Sequence, residues 1–184
     1  SLGINQKVLV EFVSANPTGP LTVGHGRGAI IGDVISNIYS FNGYKVEREY
    51  YYNNAGRQMR KLGKSVQARY LELLEINVEF PKDGYKGDYI KEIAKCIIEK
   101  YGNEFIEKSS IDTFKEEAEK YIFKDIEKTL ANIGIKFDSF FNENTLYEND
   151  KIHETIDRLT EIDLIYKKDG ATWFNGTKVG RSVD

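Results

Sequence analysis

Apolar residues run almost unbroken through Val8, Leu9, Val10, Phe12 and Val13. That is the pattern of a strand covered on both faces. Glu11 alone interrupts it, and a carboxylate in such a run costs on the order of several kcal/mol unless something pairs with it. The first strand is therefore expected over 8–14. The spacing then changes to helical. Ile30, Ile31, Val34, Ile35, Ile38 and Phe41 predict a helix from about Arg27 to Asn42, with that face buried and Gly43 just past its end. Tyr44 to Tyr52 is rich in β-formers and predicts a second strand. Strand, helix and strand in this order make a right-handed βαβ unit with a parallel pair, whose ligand site lies at the strands' C-terminal ends.

The rest of the pattern is mostly helical. After a turn at Asn53-Asn54-Ala55-Gly56, the residues Met59, Leu62, Val66, Tyr70 and Leu73 predict the buried face of a helix reaching about Glu75. Arg57, Arg60, Lys61 and Lys64 fall on another face of it. Ile76 to Asp88 is loop-like. Ile90, Ile93, Ala94, Ile97 and Tyr101 predict a helix ended by Gly102. Phe114, Ala118, Tyr121, Ile122, Ile126 and Leu130 predict another, capped by Asp112 and ending near Gly134. Phe137 to Leu146 is short-periodic, strand and loop. Ile152, Ile156, Leu159 and Ile162 build one more helix. Leu164–Lys168 and Ala171–Phe174 around Asp169-Gly170 predict a β-hairpin with a type I′ turn. The expected domain boundary is near Asn53: 1–53 as the βαβ part and 54–184 as a mostly helical segment.

Composition narrows the class. The chain has 184 residues and a net charge of −3, so any contact with nucleic acid must use a local patch. No apolar run is long enough to cross a membrane, and no targeting motif is visible. A single cysteine, Cys96, rules out an intrachain disulfide framework and suits a reducing, cytoplasmic compartment. With two histidines and one cysteine, a protein-ligated zinc site is not expected. The chain begins without Met on a core-type strand and ends without a clear stop, so we expect a piece of a longer chain.

The chemistry concentrates between the first strand and the first helix. Asn16-Pro17-Thr18-Gly19-Pro20 makes a turn-rich loop, and Thr22-Val23-Gly24-His25-Gly26-Arg27-Gly28 leads into the helix. Free N–H groups and the helix dipole converge at such a point and suit an anion. The three glycines allow close approach of a ligand, and His25 can donate to phosphate oxygens. Glu11 and Asn16 can face one pocket, where a carboxylate suits a cationic substrate group. Gly24-x-Gly26-x-x-Ala29 with Glu47 also fits a dinucleotide fingerprint, but the proline-containing connection Ala15–Val23 is too long for it. The lysine and hydroxyl of a phosphate-binding P-loop are missing.

The stretch Glu11-Phe-Val-Ser-Ala-Asn-Pro-Thr-Gly-Pro-Leu-Thr-Val-Gly-His-Gly-Arg-Gly-Ala29 closely resembles class I aminoacyl-tRNA synthetases, and more narrowly the arginyl-tRNA synthetases. Thr22-Val23-Gly24-His25 stands where that class has His-Ile-Gly-His. Glu49-Tyr-Tyr-Tyr-Asn-Asn-Ala-Gly-Arg-Gln58 resembles a second stretch of the same enzymes, with weaker echoes at Gly87–Lys91 and Asp169–Phe174. The resemblance implies an α/β fold: the first half of a Rossmann-like nucleotide-binding fold, then a mostly helical insertion with a terminal β-hairpin. It implies an arginine–tRNA ligase that makes arginyl-adenylate from arginine and ATP and passes the arginine to tRNA(Arg). Carried over by position, it implies Thr22 and His25 as catalytic, and Pro17, Thr18, Gly19, Thr22, Gly24 and His25 at ATP. Glu11, Ser14, Asn16 and His25 would line the arginine. Mg²⁺ would accompany ATP on its phosphate oxygens, with no protein-ligated metal. Thr22 cannot carry the charge of the histidine it replaces. The Lys-Met-Ser-Lys-Ser-type loop, the second half of the fold and the anticodon-binding domain are absent from these residues, so the chain alone is expected not to aminoacylate.

Each residue also has a plainer reading. Glu11 can pair with a nearby Arg or Lys, and His25 can be satisfied by backbone. His153 reads as solvated surface and Cys96 as packed and inert. The Arg57, Arg60, Lys61, Lys64 stripe can touch a tRNA acceptor end or simply be a solvated face. Tyr50, Tyr51 and Tyr52 can stack on RNA bases, though alternation across the second strand is the simpler reading. An incomplete sheet with an open edge invites self-association. Two other functions stay in view: a dinucleotide-dependent oxidoreductase domain, and a non-catalytic binding module derived from a synthetase.

Overall fold

The structure, a computed structural model, describes residues 2–108 and 110–182. It divides into two compact units, the first ending at Asn142 and the second starting at Glu143. The first unit holds a parallel sheet of order β1-β2-β3: β1 Lys7–Glu11, β2 Lys45–Tyr52 and β3 Ser139–Asn142. Helix α1, Val23–Phe41, makes the crossover between β1 and β2. Its start comes four residues before the predicted Arg27, because Thr22 caps the helix and His25 answers it in a capping box. The segment Phe137–Leu146, read as strand and loop, supplies β3, which pairs with β2 from Glu49↔Ser139 to Tyr52↔Asn142.

Two burial expectations are overturned here. β1 is an edge strand with alternating exposure, Leu9 is 55% exposed, and Glu11 is exposed. Its exposed positions Lys7, Leu9 and Glu11 lie on one face, so the apolar run is not covered on both faces. The strand also ends at Glu11, short of residue 14, because Val13 and Ser14 turn to φ of 67° and 43°. The predicted buried face of α1 is likewise exposed: Ile38 is 56% and Phe41 91% accessible, and Ile30, Ile31, Val34 and Ile35 are exposed with them. Ala29, Gly32 and Ser36 are the buried residues of this helix. A Cβ on Gly32 would stand 2.2 Å from Cγ of Phe12, so the small-residue face permits a close approach to the ring at the end of the strand.

Helices α2 (Gly56–Leu73), α3 (Asp88–Tyr101) and α5 (Ile111–Asn132) pack together, with a short α4 (Phe105–Lys108) between the last two. Met59, Leu62, Val66 and Tyr70 of α2, Ile90, Ile93, Ala94 and Ile97 of α3, and Phe114, Ala118, Ile122, Ile126 and Leu130 of α5 are all buried. Leu73, expected inside, is exposed in the last turn of α2. Ser110 rather than Asp112 caps α5: its hydroxyl accepts the Asp112 N–H at 3.1 Å. Cys96 is exposed on α3, not packed, because Ile93, Ala94 and Ile97 take the inward face.

The second unit has α6 (Asn144–Glu148), α7 (Lys151–Glu161), an antiparallel hairpin of β4 (Ile165–Lys168) and β5 (Ala171–Phe174), and a 3-10 turn at Thr177–Val179. Asp169 and Gly170 both take positive φ, 53° and 75°, as a type I′ turn requires. Ile162 is exposed just past α7, and His153 is exposed on it.

Candidate active site

The site is built where β1 and β2 end. The Ser14 N–H donates to the Phe12 carbonyl at 2.9 Å, closing a three-residue γ-turn about Val13. With a β-branched residue at φ 67°, this turn costs on the order of 1–3 kcal/mol. It lifts the chain out of the ladder, and the Ser14 hydroxyl takes over, accepting the Tyr51 N–H at 3.1 Å. Tyr50 reaches across to the next residue. Its Oη donates to the Ala15 carbonyl at 2.8 Å and accepts the Ala15 N–H at 3.2 Å. Burial pushes the Tyr50 phenol up to about 12, partly offset by the bond from Ala15. The Asn16 side-chain oxygen accepts the Asn53 N–H at 2.9 Å. Past a buried Pro17, the Thr18 carbonyl accepts from Tyr89 Oη of α3 at 2.8 Å. The loop is therefore held by β2 on one side and by α3 on the other.

At the start of α1, the Thr22 N–H donates to His25 Nδ1 at 3.1 Å, and the His25 N–H donates to Thr22 Oγ1 at 3.4 Å. A backbone N–H can only donate, so Nδ1 presents its lone pair to Thr22. In the neutral ring the proton then sits on Nε2, which is left to meet a ligand. Thr22 thus serves first as a helix cap. A Cβ on Gly26 or Gly28 would meet nothing within 4 Å, and one on Gly24 only Thr22 Oγ1 at 3.6 Å. The first turns of α1 are open to a ligand on their glycine side.

Glu11, the last residue of β1, has no ion pair among the described residues. The plainer reading, a pairing with Arg or Lys, is not met; its register partner is Glu49 of β2. Partners in a parallel register face the same side, so two carboxylates stand together at the sheet's C-terminal edge. Nothing in the spacing of the sequence pairs these two, since register is a tertiary property. Tyr50 and Tyr89 were equally hidden in the pattern. Tyr50 is buried against Phe137 and Phe140 at ring separations of 5.3 Å each, which removes it as a base-stacking surface. Tyr51 stacks on Phe141 at 5.6 Å and Tyr52 meets Phe123 edge-on at 4.5 Å, so the three alternate in their neighbours.

The basic stripe lies apart from this loop in the chain. Arg57, Arg60, Lys61 and Lys64 line a cavity of about 250 Å³ with Pro81 and Asp83. Lys61, which lies over the Tyr85 ring, pairs with Asp83 at 3.4 Å, and its hydrogen bond and charge hold the Asp83 carboxyl below its usual range.

The family described as tRNA synthetases class I (R), catalytic domain, matches residues 1–183. The chain belongs to that family. It is 51% identical over 183 residues to an arginine–tRNA ligase of Desulfotalea psychrophila, covering 100% of this chain and 33% of that protein. It is 49% identical over 187 residues to one of Chlorobium phaeobacteroides, covering 99% and 34%. A crystal structure from Campylobacter jejuni, described as an arginyl-tRNA synthetase, superimposes with a TM-score of 0.87 at 37% identity over 97% of this chain and 39% of that one. The arginyl-tRNA synthetase of Thermus thermophilus shares the fold at a TM-score of 0.64 and 18% identity. The chain spans about a third of the length of the curated relatives it matches. The dinucleotide-binding oxidoreductase alternative is not favoured by these matches.

Proposed function

We propose that this chain supplies half of the active site of an arginyl-tRNA synthetase, acting on arginine, ATP and tRNA(Arg) in the cytoplasm. The observation that carries the reading is the loop from Ser14 to His25, anchored to β2 and α3 and leading from a strand end with Glu11 in register with Glu49 to a glycine-open helix start. In the reaction, an arginine carboxylate oxygen attacks the α-phosphorus of ATP, and the bond to the bridging oxygen breaks to release pyrophosphate. The 3′-terminal ribose hydroxyl of the tRNA then displaces AMP and takes the aminoacyl group.

Roles follow from placement. Glu11, with Glu49 beside it, suits the cationic end of arginine. Ser14 and Asn16, fixed by β2, suit the groups around its α-carbon. Pro17, Thr18, Gly19 and Gly24 bound the ATP side, and His25 offers Nε2–H to phosphate from a helix N-terminus, where charge developing in the transition state is stabilised without reorganisation. Thr22 orients that ring. Mg²⁺ enters with ATP as part of the substrate, held by phosphate oxygens. Functionally, residues 1–53 form the first βαβ part and 54–184 the insertion, whose β3 returns to the sheet. The stripe Arg57, Arg60, Lys61, Lys64 is the candidate contact for the tRNA acceptor end. Charge reversal there in the full enzyme should weaken tRNA binding and flatten its salt slope.

The exposed apolar face of α1 and the free edge of β1 are the surfaces that the remainder of such a synthetase covers. Left open, they favour self-association of the isolated chain, and a strictly monomeric species in sedimentation at high concentration would overturn that. The chain alone should not charge tRNA. The deciding experiment is titration with a non-hydrolysable arginyl-adenylate analogue, with NAD in parallel. Saturable binding lost in Glu11→Ala and His25→Ala supports the synthetase site. NAD binding in its place would sink the reading.

A further inference from the structure

Tyr89 is the second residue of α3, yet its phenol lies against a loop that is 71 residues earlier in the chain. Two glycines make room for it. A Cβ on Gly19 would stand 3.1 Å from its Oη and 3.2 Å from Cζ; one on Gly87 would stand 2.5 Å from Cε1 and 2.7 Å from Cδ1. One glycine belongs to the turn-rich loop Asn16–Pro20 and the other to the turn that opens α3, so the ring occupies a slot with no side chain on either wall. Burial pushes the phenol up to about 12, so it remains a donor at neutral pH.

The bond it makes has a geometric consequence. Tyr89 Oη takes the Thr18 carbonyl at 2.8 Å. No peptide bond among the described residues is cis. In a trans peptide the carbonyl oxygen of one residue and the N–H of the next point in opposite directions. With the Thr18 carbonyl turned to α3, the Gly19 N–H is turned away from it. No hydrogen bond among the described residues takes that N–H.

We propose that Tyr89 is a positioning residue: by holding the Thr18 carbonyl, it fixes the Thr18–Gly19 peptide plane and presents the Gly19 N–H to the phosphates of ATP. The inference rests on the synthetase reading of the loop and adds a role for the inserted helices. They set the orientation of a nucleotide-binding peptide rather than merely decorating the fold. Tyr89 acts through Thr18 and touches no reacting atom.

The test uses Tyr89→Phe, which keeps the ring in its slot and removes only the donor. In ATP–pyrophosphate exchange by the full-length synthetase carrying this segment, KM for ATP should rise about three- to tenfold, the range of one lost hydrogen bond. The kcat and KM for arginine should stay within about twofold. An unchanged KM for ATP overturns the proposal, as does a parallel rise in both KM values with loss of kcat, which is the mark of a structural role. Should the unmutated enzyme fail to exchange even with tRNA(Arg) present, the synthetase reading falls, and the clamp is judged in the 184-residue chain. There ATP must shift the Gly19 amide resonance in the parent sequence and not in Tyr89→Phe; a shift in both, or in neither, overturns it.

Discussion

Helices α1 and α5 are close in length, 19 and 22 residues, and both carry an apolar stripe, but the structure uses them in opposite ways. In α5 the stripe is the core. Phe114, Ala118, Ile122, Ile126 and Leu130 are each 2% exposed or less, and Phe114 meets the buried Tyr70 ring edge-on at 5.2 Å. In α1 the stripe faces out, and Ala29, Gly32 and Ser36 face in. Periodicity shows that a helix has an apolar face; it does not say what covers it. Helix α1 lies close to Phe12 through its small residues, so its large aliphatic side chains are free for a second partner. One region is finished within this chain. The other leaves its large apolar side chains exposed.

Core truncation gives the largest contrast. Phe114→Ala should lose about 3–5 kcal/mol in urea denaturation, from lost transfer energy and the cavity left behind. Val34→Ala, on the open face of α1, should stay within about 0.5 kcal/mol. Equal losses would mean that α1 is covered in solution, and the contrast between the two helices would disappear.

Two glycines of α1 sharpen the same contrast inside one helix. Gly32→Ala places a methyl 2.2 Å from Phe12 Cγ and should cost about 1–3 kcal/mol by overpacking. Gly26→Ala meets nothing within 4 Å and should gain about 0.5–1 kcal/mol through helix propensity. Thermal melts of the pair give opposite signs if the small-residue face is the packed one. Two shifts of the same sign would refute that assignment.

These contrasts also mark what the sequence could disclose. Met59, Leu62, Val66 and Tyr70 on α2, or Ile90, Ile93 and Ile97 on α3, name their buried faces correctly because each helix has one apolar side and partners within the chain. Asp169-Gly170 specifies its turn because a type I′ hairpin needs two positive φ values and this pair tolerates them. The run Val8–Val13 misleads for a tertiary reason: burial of a strand depends on what packs on its two faces, and the face carrying Leu9 and Glu11 is exposed. The loop from Ser14 to His25 stands out as a candidate site by its composition. Its clamps do not, since Tyr50 and Tyr89 look like ordinary apolar-helping aromatics until register and packing bring them to Ala15 and Thr18. The Glu11–Glu49 pair is hidden for the same reason, 38 positions apart and joined only by the parallel register.

The smallest effect tests where the finished region meets the site. Glu119 of α5 accepts from Asn54 Nδ2 at 2.8 Å, just beyond β2. Burial holds its carboxyl above the usual range, opposed in part by the bond from Asn54. Its charge in turn adds to the burial that raises the Tyr52 phenol. Above the ordinary glutamate value, the folded chain therefore keeps a proton that the unfolded chain has released. Folded protein binds more protons in that window, so this group's contribution is full below it and is lost as pH rises through the raised value. Glu119→Gln keeps an oxygen for Asn54 and removes the titration. Melting temperatures measured from pH 4 to pH 8 should show the parent falling relative to Glu119→Gln as pH rises through that window, with parallel curves elsewhere. Curves parallel throughout would place Glu119 in open solvent and detach α5 from the Asn53–Asn54 turn. A relative fall would show that the turn bordering the loop from Ser14 to His25 is held by a helix whose own packing is complete.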